Sequence, residues 1–288
     1  VTAPGSLRAA PVDDRARLDR KRGVENFPVA LRVLPSDLRA DLVAVYEVAR
    51  VIDDLGDEAE GDRPALLEDF AGDLSRIWAG GTPHAPVLRR LVPTATARRL
   101  SERPFQDLVR ANLVDQGVHR YQSYHQLREY CALSAHPVGR IVLEIFDVRD
   151  PVAVELSDRV CAALQLVEHW QDVAEDRAAG RVYLPIEDLA RFGLTEADLD
   201  APVASPALCR LMTFQTDRAQ GLLRSGAGLV GLLRGWARLA VAGYLAGGLA
   251  AVDALRRTRG DVLGVPARTR RRDVVRHLAG LLSGGWRR

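Results

Sequence analysis

The sequence predicts an all-α protein, and two observations carry that reading. Apolar residues recur at helical spacing through most of the chain. No stretch alternates apolar and polar residues over a useful length, as a half-buried strand would. With 288 residues, 47% of them hydrophobic and 27% charged, the chain can bury a sizeable core. No linker and no fixed-period repeat divides it. The expectation is therefore one domain over residues 24–266, a helical bundle around a central cavity. Residues 1–23 read as a flexible, polar tail, and residues 267–288 as a basic, solvated C-terminal tail.

Taken in order, the elements follow from caps, periods and breakers. Ser36 or Asp37, after Pro35, is suited to cap the first helix. Leu38, Leu42, Val45, Tyr46, Ala49 and Ile52 then hold a helical period. A charged connection leads to a helix over 64–78, which Gly80-Gly81-Thr82-Pro83 ends. The pattern over 87–100 is helical with an interruption expected near Pro93. Single helices are expected over 104–121, 126–146 and 152–177. A short acidic helix and loop over 186–201 precedes helices over 207–225 and 229–257.

Bulk composition excludes several function classes. The formal net charge is only +2, so no overall field marks the chain for nucleic acid. Lys21 is the sole lysine and lies in a polar run, which disfavours a phosphate-loop or buried catalytic lysine. Cys131, Cys161 and Cys209 are far apart, without metal-ligand spacing. They read as buried thiols in a reducing, cytoplasmic setting. The first 22 residues lack the apolar core of a signal peptide. The uncharged run from Leu239 to Val252 is shorter than the roughly 20 residues a spanning helix needs. Its Gly243 and Gly247 would let two helices approach closely. The arginines at 268, 270, 271, 272 and 276 could dock on anionic lipid, placing the protein at the inner face of a membrane.

Two acidic stretches carry the chemistry. The first is Arg50-Val-Ile-Asp53-Asp54-Leu-Gly-Asp57; the second is Gln165-Leu-Val-Glu-His-Trp-Gln-Asp172-Val-Ala-Glu175-Asp176. In each, two aspartates lie four apart and so share a helix face. Tyr46, Arg50 and Asp57 fall on one side of the first helix, and Gln165, Glu168 and His169 on the side of Asp172. Like charges set into an apolar helix are unfavourable unless a cation neutralises them. Two antiparallel bundle helices could bring four such carboxylates across a shared cavity. Oxygen-only ligands suit Mg²⁺ with a substrate phosphate. The chemistry this suggests is ionisation of a diphosphate, with an apolar interior sheltering the resulting carbocation.

Two other patterns lead elsewhere. Gly226-Ala-Gly228-Leu-Val-Gly231 fits GxGxxG, and Asp253 follows at a dinucleotide-like distance. No strand precedes the glycines, so the motif lacks its βαβ setting. The six histidines include no HxxxH pair, and zinc chemistry has no support.

Taken together, the residues resemble a known family. Tyr46-x-x-x-Arg50-x-x-Asp53-Asp54-x-x-Asp57, then Tyr130-Cys-x-x-Ser-Ala135-x-x-Val138-Gly139, then Gln165 with Asp172-x-x-Glu175-Asp176, and Gly180-Arg181-x-Tyr183-Leu-Pro185 are similar in order and spacing to squalene and phytoene synthases. The resemblance runs from about residue 25 to 264. It implies the isoprenoid-synthase helical fold, Mg²⁺ and head-to-head chemistry on prenyl diphosphates through a cyclopropyl intermediate. Glu25-Asn26-Phe27-Pro28-Val29-Ala30, Ser134-Ala135-His136-Pro137-Val138-Gly139-Arg140 and Trp170-Gln171-Asp172 are closest to the bacterial hopanoid-pathway branch, which includes hydroxysqualene synthase. That branch implies presqualene diphosphate as substrate, water capture of the rearranged cation and no nicotinamide cofactor. The alternatives are a squalene, dehydrosqualene or phytoene synthase, or a non-catalytic protein that binds isoprenoid diphosphates.

By position, the resemblance makes Asp53, Asp57, Asp172 and Asp176 metal ligands, supported by Asp54 and Glu175. It gives Arg50, Arg181 and Tyr183 the diphosphate. It puts Tyr46 and Gln165, with Tyr183, near the reacting carbons. Glu168 and His136 stand where asparagine is common, and Gln171 where phytoene-type members carry arginine. These are the positions that bear on the product. Pathway enzymes supplying the substrate are the implied partners.

Overall fold

The computed structural model describes residues 33–284. The N-terminal tail of residues 1–23 and the Glu25–Ala30 motif lie outside the described residues. Among the described residues the fold is all-α. The nearest approach to a strand is one isolated bridge between Arg120 and Val182.

The chain forms two compact units. The first comprises residues up to Gly117 together with Ile141–Val148, and the second Val118–Arg140 with Arg149 onward.

The first unit is built on α1 (Ser36–Asp57), α2 (Arg63–Ser75), α3 (Pro86–Arg98) and α4 (Glu102–Asp115). Val48, Ile52, Leu67, Leu74, Leu88, Leu91 and Phe105 are almost wholly buried in one core. Such side chains contribute about 1.5–3 kcal/mol each on leaving water. Pro35, not Ser36 or Asp37, precedes α1, without a side-chain cap. The interruption expected at Pro93 does not occur, and α3 runs through it. Polar ties on both sides of the proline hold α3 to α1: Arg90 Nε donates to Glu47 at 2.8 Å, Thr94 Oγ1 to Asp41 at 2.8 Å and Arg98 Nε to Asp41 at 2.7 Å. Tertiary contact outweighs one lost backbone bond. Helix α4 ends at Asp115, short of Tyr121, because 119–121 pair instead with the backbone after Gly180: Val182 N–H donates to His119 O at 3.0 Å and Ile186 N–H to Tyr121 O at 2.9 Å.

The second unit contains α5 (Tyr124–Ser134), α7 (Pro151–Gln171), α8 (Val173–Ala178), α9 (Ile186–Arg191), α10 (Pro206–Gly226), α11 (Leu229–Leu232), α12 (Gly235–Arg257) and α13 (Arg271–Leu282). Between α5 and α7 lies α6 (His136–Ile145), whose residues from Ile141 count with the first unit. The expected helix over 126–146 is thus two helices. Pro137 has no N–H to continue the ladder, and it fits the start of α6. Side-chain caps open α5, α7 and α10: Ser123 accepts from Gln126 N–H, Asp150 from Val152 N–H and Ser205 from Leu208 N–H.

Close packing in this unit depends on glycine. A Cβ at Gly248 would lie 2.3 Å from Leu164 of α7, so α12 makes a close approach at Gly248. Helix α12 is long and apolar enough to cross a membrane by length and composition, but 61% of its apolar window is buried in this bundle. The GxGxxG stretch is also packing: a Cβ at Gly226 would lie 2.6 Å from Val160. Asp253 is engaged by His277 Nε2 at 2.7 Å and by Arg276.

The reading of 267–288 as a tail without regular structure is corrected by α13, although the arginines at 268, 270, 271, 272 and 276 are exposed. Helix α13 packs on α12 through buried Asp273 and Leu281. Arg257 Nη1 donates to Asp273 at 2.8 Å, and Arg238 Nη2 donates to Leu282 O at 2.8 Å. The partners of its charges lie far back in sequence, so composition alone did not show the helix.

Candidate active site

The first acidic motif sits on the last two turns of α1. Asp53 is half-buried, Asp57 exposed and Asp54 fully buried. Arg50 Nε donates to Asp54 Oδ1 at 3.0 Å, and Arg50 also lies 3.8 Å from Glu58. Asp54 therefore turns to the arginine of its own helix, one turn back. Burial pushes the Asp53 carboxyl up to about 6, and Asp57 and Asp54 push the same way; a hydrogen bond from Asn112 and the charge of Arg50 oppose them. Asn112 Nδ2 lies 3.2 Å from Asp53 Oδ1. Tyr46 is half-buried one turn before Arg50.

The second motif straddles a break. Helix α7 ends at Gln171, and Asp172 takes φ −104° and ψ 16° before α8 begins. This is near the sparsely allowed bridge region common at functional sites. The backbone still bonds across it: Asp172 N–H donates to Glu168 O at 3.0 Å and Asp176 N–H to Asp172 O at 2.8 Å. The four-residue spacing thus keeps both aspartates one turn apart although the helix expected over 152–177 is two. Burial raises the Asp172 carboxyl to about 6, helped by the negative charges of Glu175 and Asp176. Glu175 is exposed.

Beside the break lies an aromatic cluster that spacing did not reveal. The His169 ring stacks on Tyr183, with centroids 3.6 Å apart and planes 12° from parallel. Tyr121 and Tyr130 complete the cluster, at 5.8 Å and 5.9 Å from Tyr183. His169 Nε2 meets Gln165 Nε2 at 3.3 Å, and its Nδ1 lies 3.9 Å from Asp176 Oδ2. The grouping of Gln165 and His169 with the aspartates is thus present. Burial holds His169 below its ordinary value, against the pull of Asp176 and with the Arg181 charge assisting.

Arg181 and Tyr183 come to the motif by a short return of the chain. Gly180 adopts φ +80°, a conformation glycine takes without strain. Arg181 N–H then donates to Asp176 O at 2.8 Å, and the pairing of Val182 with His119 anchors the backbone beside Tyr183. Tyr183 is buried.

Two of the positions expected to bear on the product have structural partners. Gln171 Nε2 donates to Ala267 O at 2.8 Å. His136 Nδ1 lies 3.6 Å from Asp158, which Arg140 grips through two hydrogen bonds at 3.0 and 2.7 Å. Gly139 admits Ser157 and Cys161, each 2.5 Å from where a Cβ would be. The thiols of Cys131 and Cys161 are pushed up to about 12 by burial, consistent with inert packing.

Among the described residues no three or more His, Cys, Asp or Glu side chains converge to hold a metal ion by themselves. Mg²⁺ commonly takes one or two carboxylates and completes its shell with water and substrate phosphate. The donors present, two carboxylates one turn apart in each motif, fit such an ion. Asp53 and Asp172, whose charges burial disfavours, are the carboxylates with most to gain from it.

A family model described as squalene/phytoene synthase matches residues 20–276. Hydroxysqualene synthase of Zymomonas mobilis is 33% identical over 208 residues, covering 71% of this chain and 69% of that protein. The 15-cis-phytoene synthase of Synechocystis sp. is 30% identical over 235 residues, covering 76% of this chain and 69% of that protein. Among solved structures, squalene synthase of Alicyclobacillus acidocaldarius is 39% identical with a TM-score of 0.77, covering 87% of this chain and 97% of that one. On these matches, the chain belongs to the squalene/phytoene synthase family.

Proposed function

We propose that this protein is a Mg²⁺-dependent enzyme that ionises presqualene diphosphate and lets water capture the rearranged cation as hydroxysqualene. One observation carries the diphosphate chemistry. Each acidic motif sets two aspartates one turn apart, one of which, Asp53 or Asp172, is half-buried with its carboxyl raised to about 6, an arrangement that a cation relieves. Bound Mg²⁺ would neutralise charge on the departing diphosphate. Asp53 and Asp57 would hold such an ion in the first motif, and Asp172 and Asp176 one in the second, with Glu175 adding negative charge there. Asp54 serves by holding Arg50. Arg50 and Arg181 meet diphosphate oxygens by charge, and the Tyr183 hydroxyl by a hydrogen bond. Tyr46 and Gln165 are the residues that the family resemblance assigns to the neighbourhood of the reacting carbons. The carbon–oxygen bond breaks with its electron pair leaving on diphosphate. Water then bonds the cation and releases a proton, so no reductant is consumed.

The choice of water capture rests on the likeness to hydroxysqualene synthase and on Gln171 before Asp172. A second reading, joining of two prenyl diphosphates head-to-head, is favoured by the likeness to a squalene synthase structure and to a phytoene synthase. Incubation with presqualene diphosphate and Mg²⁺, without NADPH, should release hydroxysqualene. Product from farnesyl diphosphate and NADPH alone would select the second reading. No turnover of either, with diphosphate still bound, would leave a binding protein.

A further inference from the structure

Asn112 lies on α4 and is buried, with 8% of its surface exposed. Its Nδ2 donates to Asp53 Oδ1 at 3.2 Å and to Leu108 O at 3.3 Å. One turn beyond Asp53, a Cβ at Gly56 would sit 2.3 Å from Asn112 Oδ1. Gly56 is buried inside α1 and is not among the residues with positive φ. Its backbone therefore does not demand glycine, and glycine in a helix interior costs about 1 kcal/mol relative to alanine. The contact with Asn112 is what demands it. Gln116, one turn after Asn112, donates to Gly56 O at 3.1 Å and to Asn112 O at 3.0 Å. Three residues thus latch α4 to α1 at the acidic motif. The amide directed at Asp53 is the member whose chemistry exceeds packing, because a leucine there would fill the same space without leaving polar atoms to satisfy.

We propose that Asn112 is a positioning residue for cation binding: its amide holds Asp53 Oδ1, which fixes the carboxylate plane and leaves Oδ2 to meet the ion. This rests on the reading of Asp53 as a cation ligand. Partners that orient a ligating carboxylate commonly contribute 10–100-fold in metal affinity. Gly56 acts one step further out, by making room for the amide.

The test is Mn²⁺ binding to the full chain in the presence of inorganic diphosphate, read from the electron paramagnetic resonance signal of free Mn²⁺. Asn112→Leu and Asn112→Ala should each weaken binding about 10-fold or more. Gly56→Ala, which pushes the amide aside, should weaken it in the same direction. Gln116→Leu loosens the latch without touching Asp53; it should lower the melting temperature and leave Mn²⁺ affinity unchanged. Wild-type affinity in folded Asn112→Leu or Asn112→Ala overturns the proposal, as does an equal loss in Gln116→Leu. Asp53→Asn in the same assay separates the premises: wild-type affinity there sinks the ligand reading itself, whereas loss in Asp53→Asn with none at position 112 sinks the positioning role alone.

Discussion

The two acidic motifs share a spacing but not a construction. The first lies on an unbroken helix, and its carboxylates are aligned by polar groups: Arg50 on Asp54, Asn112 on Asp53. The second lies across a break at Asp172, and its surroundings are aromatic, with His169 on Tyr183 and two further tyrosines around them. The difference shows that i, i+4 spacing fixes a shared face and little else. In the first motif Asp54 is held from its own helix and Asp53 from α4, whereas beside the second lies an aromatic cluster that reaches Asp176 through His169.

The largest expected effect tests what the motifs have in common. Asp53→Asn and Asp172→Asn should each lower turnover of presqualene diphosphate by at least about 100-fold, the scale of removing a group that stabilises departing charge. A large loss in one and none in the other would show that only one motif serves the reaction. Next is the Arg50–Asp54 pair in the first motif. Asp54→Ala removes the buried carboxylate that accepts from Arg50 Nε and should destabilise the protein by about 1.5–3 kcal/mol, the scale of a hydrogen bond to a charged group, read by denaturant unfolding. The matching change in the second motif, Glu175→Ala at an exposed site, should stay within about 0.5 kcal/mol.

A smaller effect probes the aromatic side. His169→Phe keeps a ring against Tyr183 but loses the approach to Gln165 and Asp176. Turnover should fall about 10-fold with melting temperature near wild type, as expected when a group is held less well in place. His169→Ala should lower both. Equal behaviour of the two variants would mean that the polar contacts, and not the stack, are what His169 supplies.

The smallest effect concerns pH. Asp53 and Asp172 both have folded values raised to about 6. A carboxyl raised on folding contributes stability below its ordinary value near 4, and that contribution is lost as pH rises through 6. The cation-free protein should therefore melt a few degrees lower at pH 7 than at pH 5 on this account. Mg²⁺ with diphosphate at pH 7 should restore the difference. Asp53→Asn and Asp172→Asn should each remove part of the slope, and a slope surviving in the double variant would assign it to other groups.

Much of this was legible in the sequence. Periodicity gave the all-α class, and the paired aspartates and the Gly180–Pro185 turn marked the stretches that carry the chemistry. The helix limits were less legible where distant contacts decide them. Helix α3 continues through Pro93 because Glu47 and Asp41 lie beside it. The arginines at 268, 270, 271, 272 and 276 are exposed as composition suggested, but the order of 271–282 was not legible because Asp253 and Arg257, which hold α13, lie in another pattern. Asn112 gave no signal at all, since a lone asparagine in an apolar period reads as a solvated or capping residue. Gly56 was visible, but the atom that demands it belongs to a helix about 50 residues away.

The latch between α1 and α4 also bears on how parts of this enzyme can be exchanged. A chimaera that imports α1 alone would carry the aspartates but set Gly56 and Asp53 against whatever side chain the recipient offers at position 112. The smallest transplantable module is the helix pair. In any lineage, drift at position 112 and at position 56 should be coupled, so that a recombinant mixing them inherits ligands without alignment.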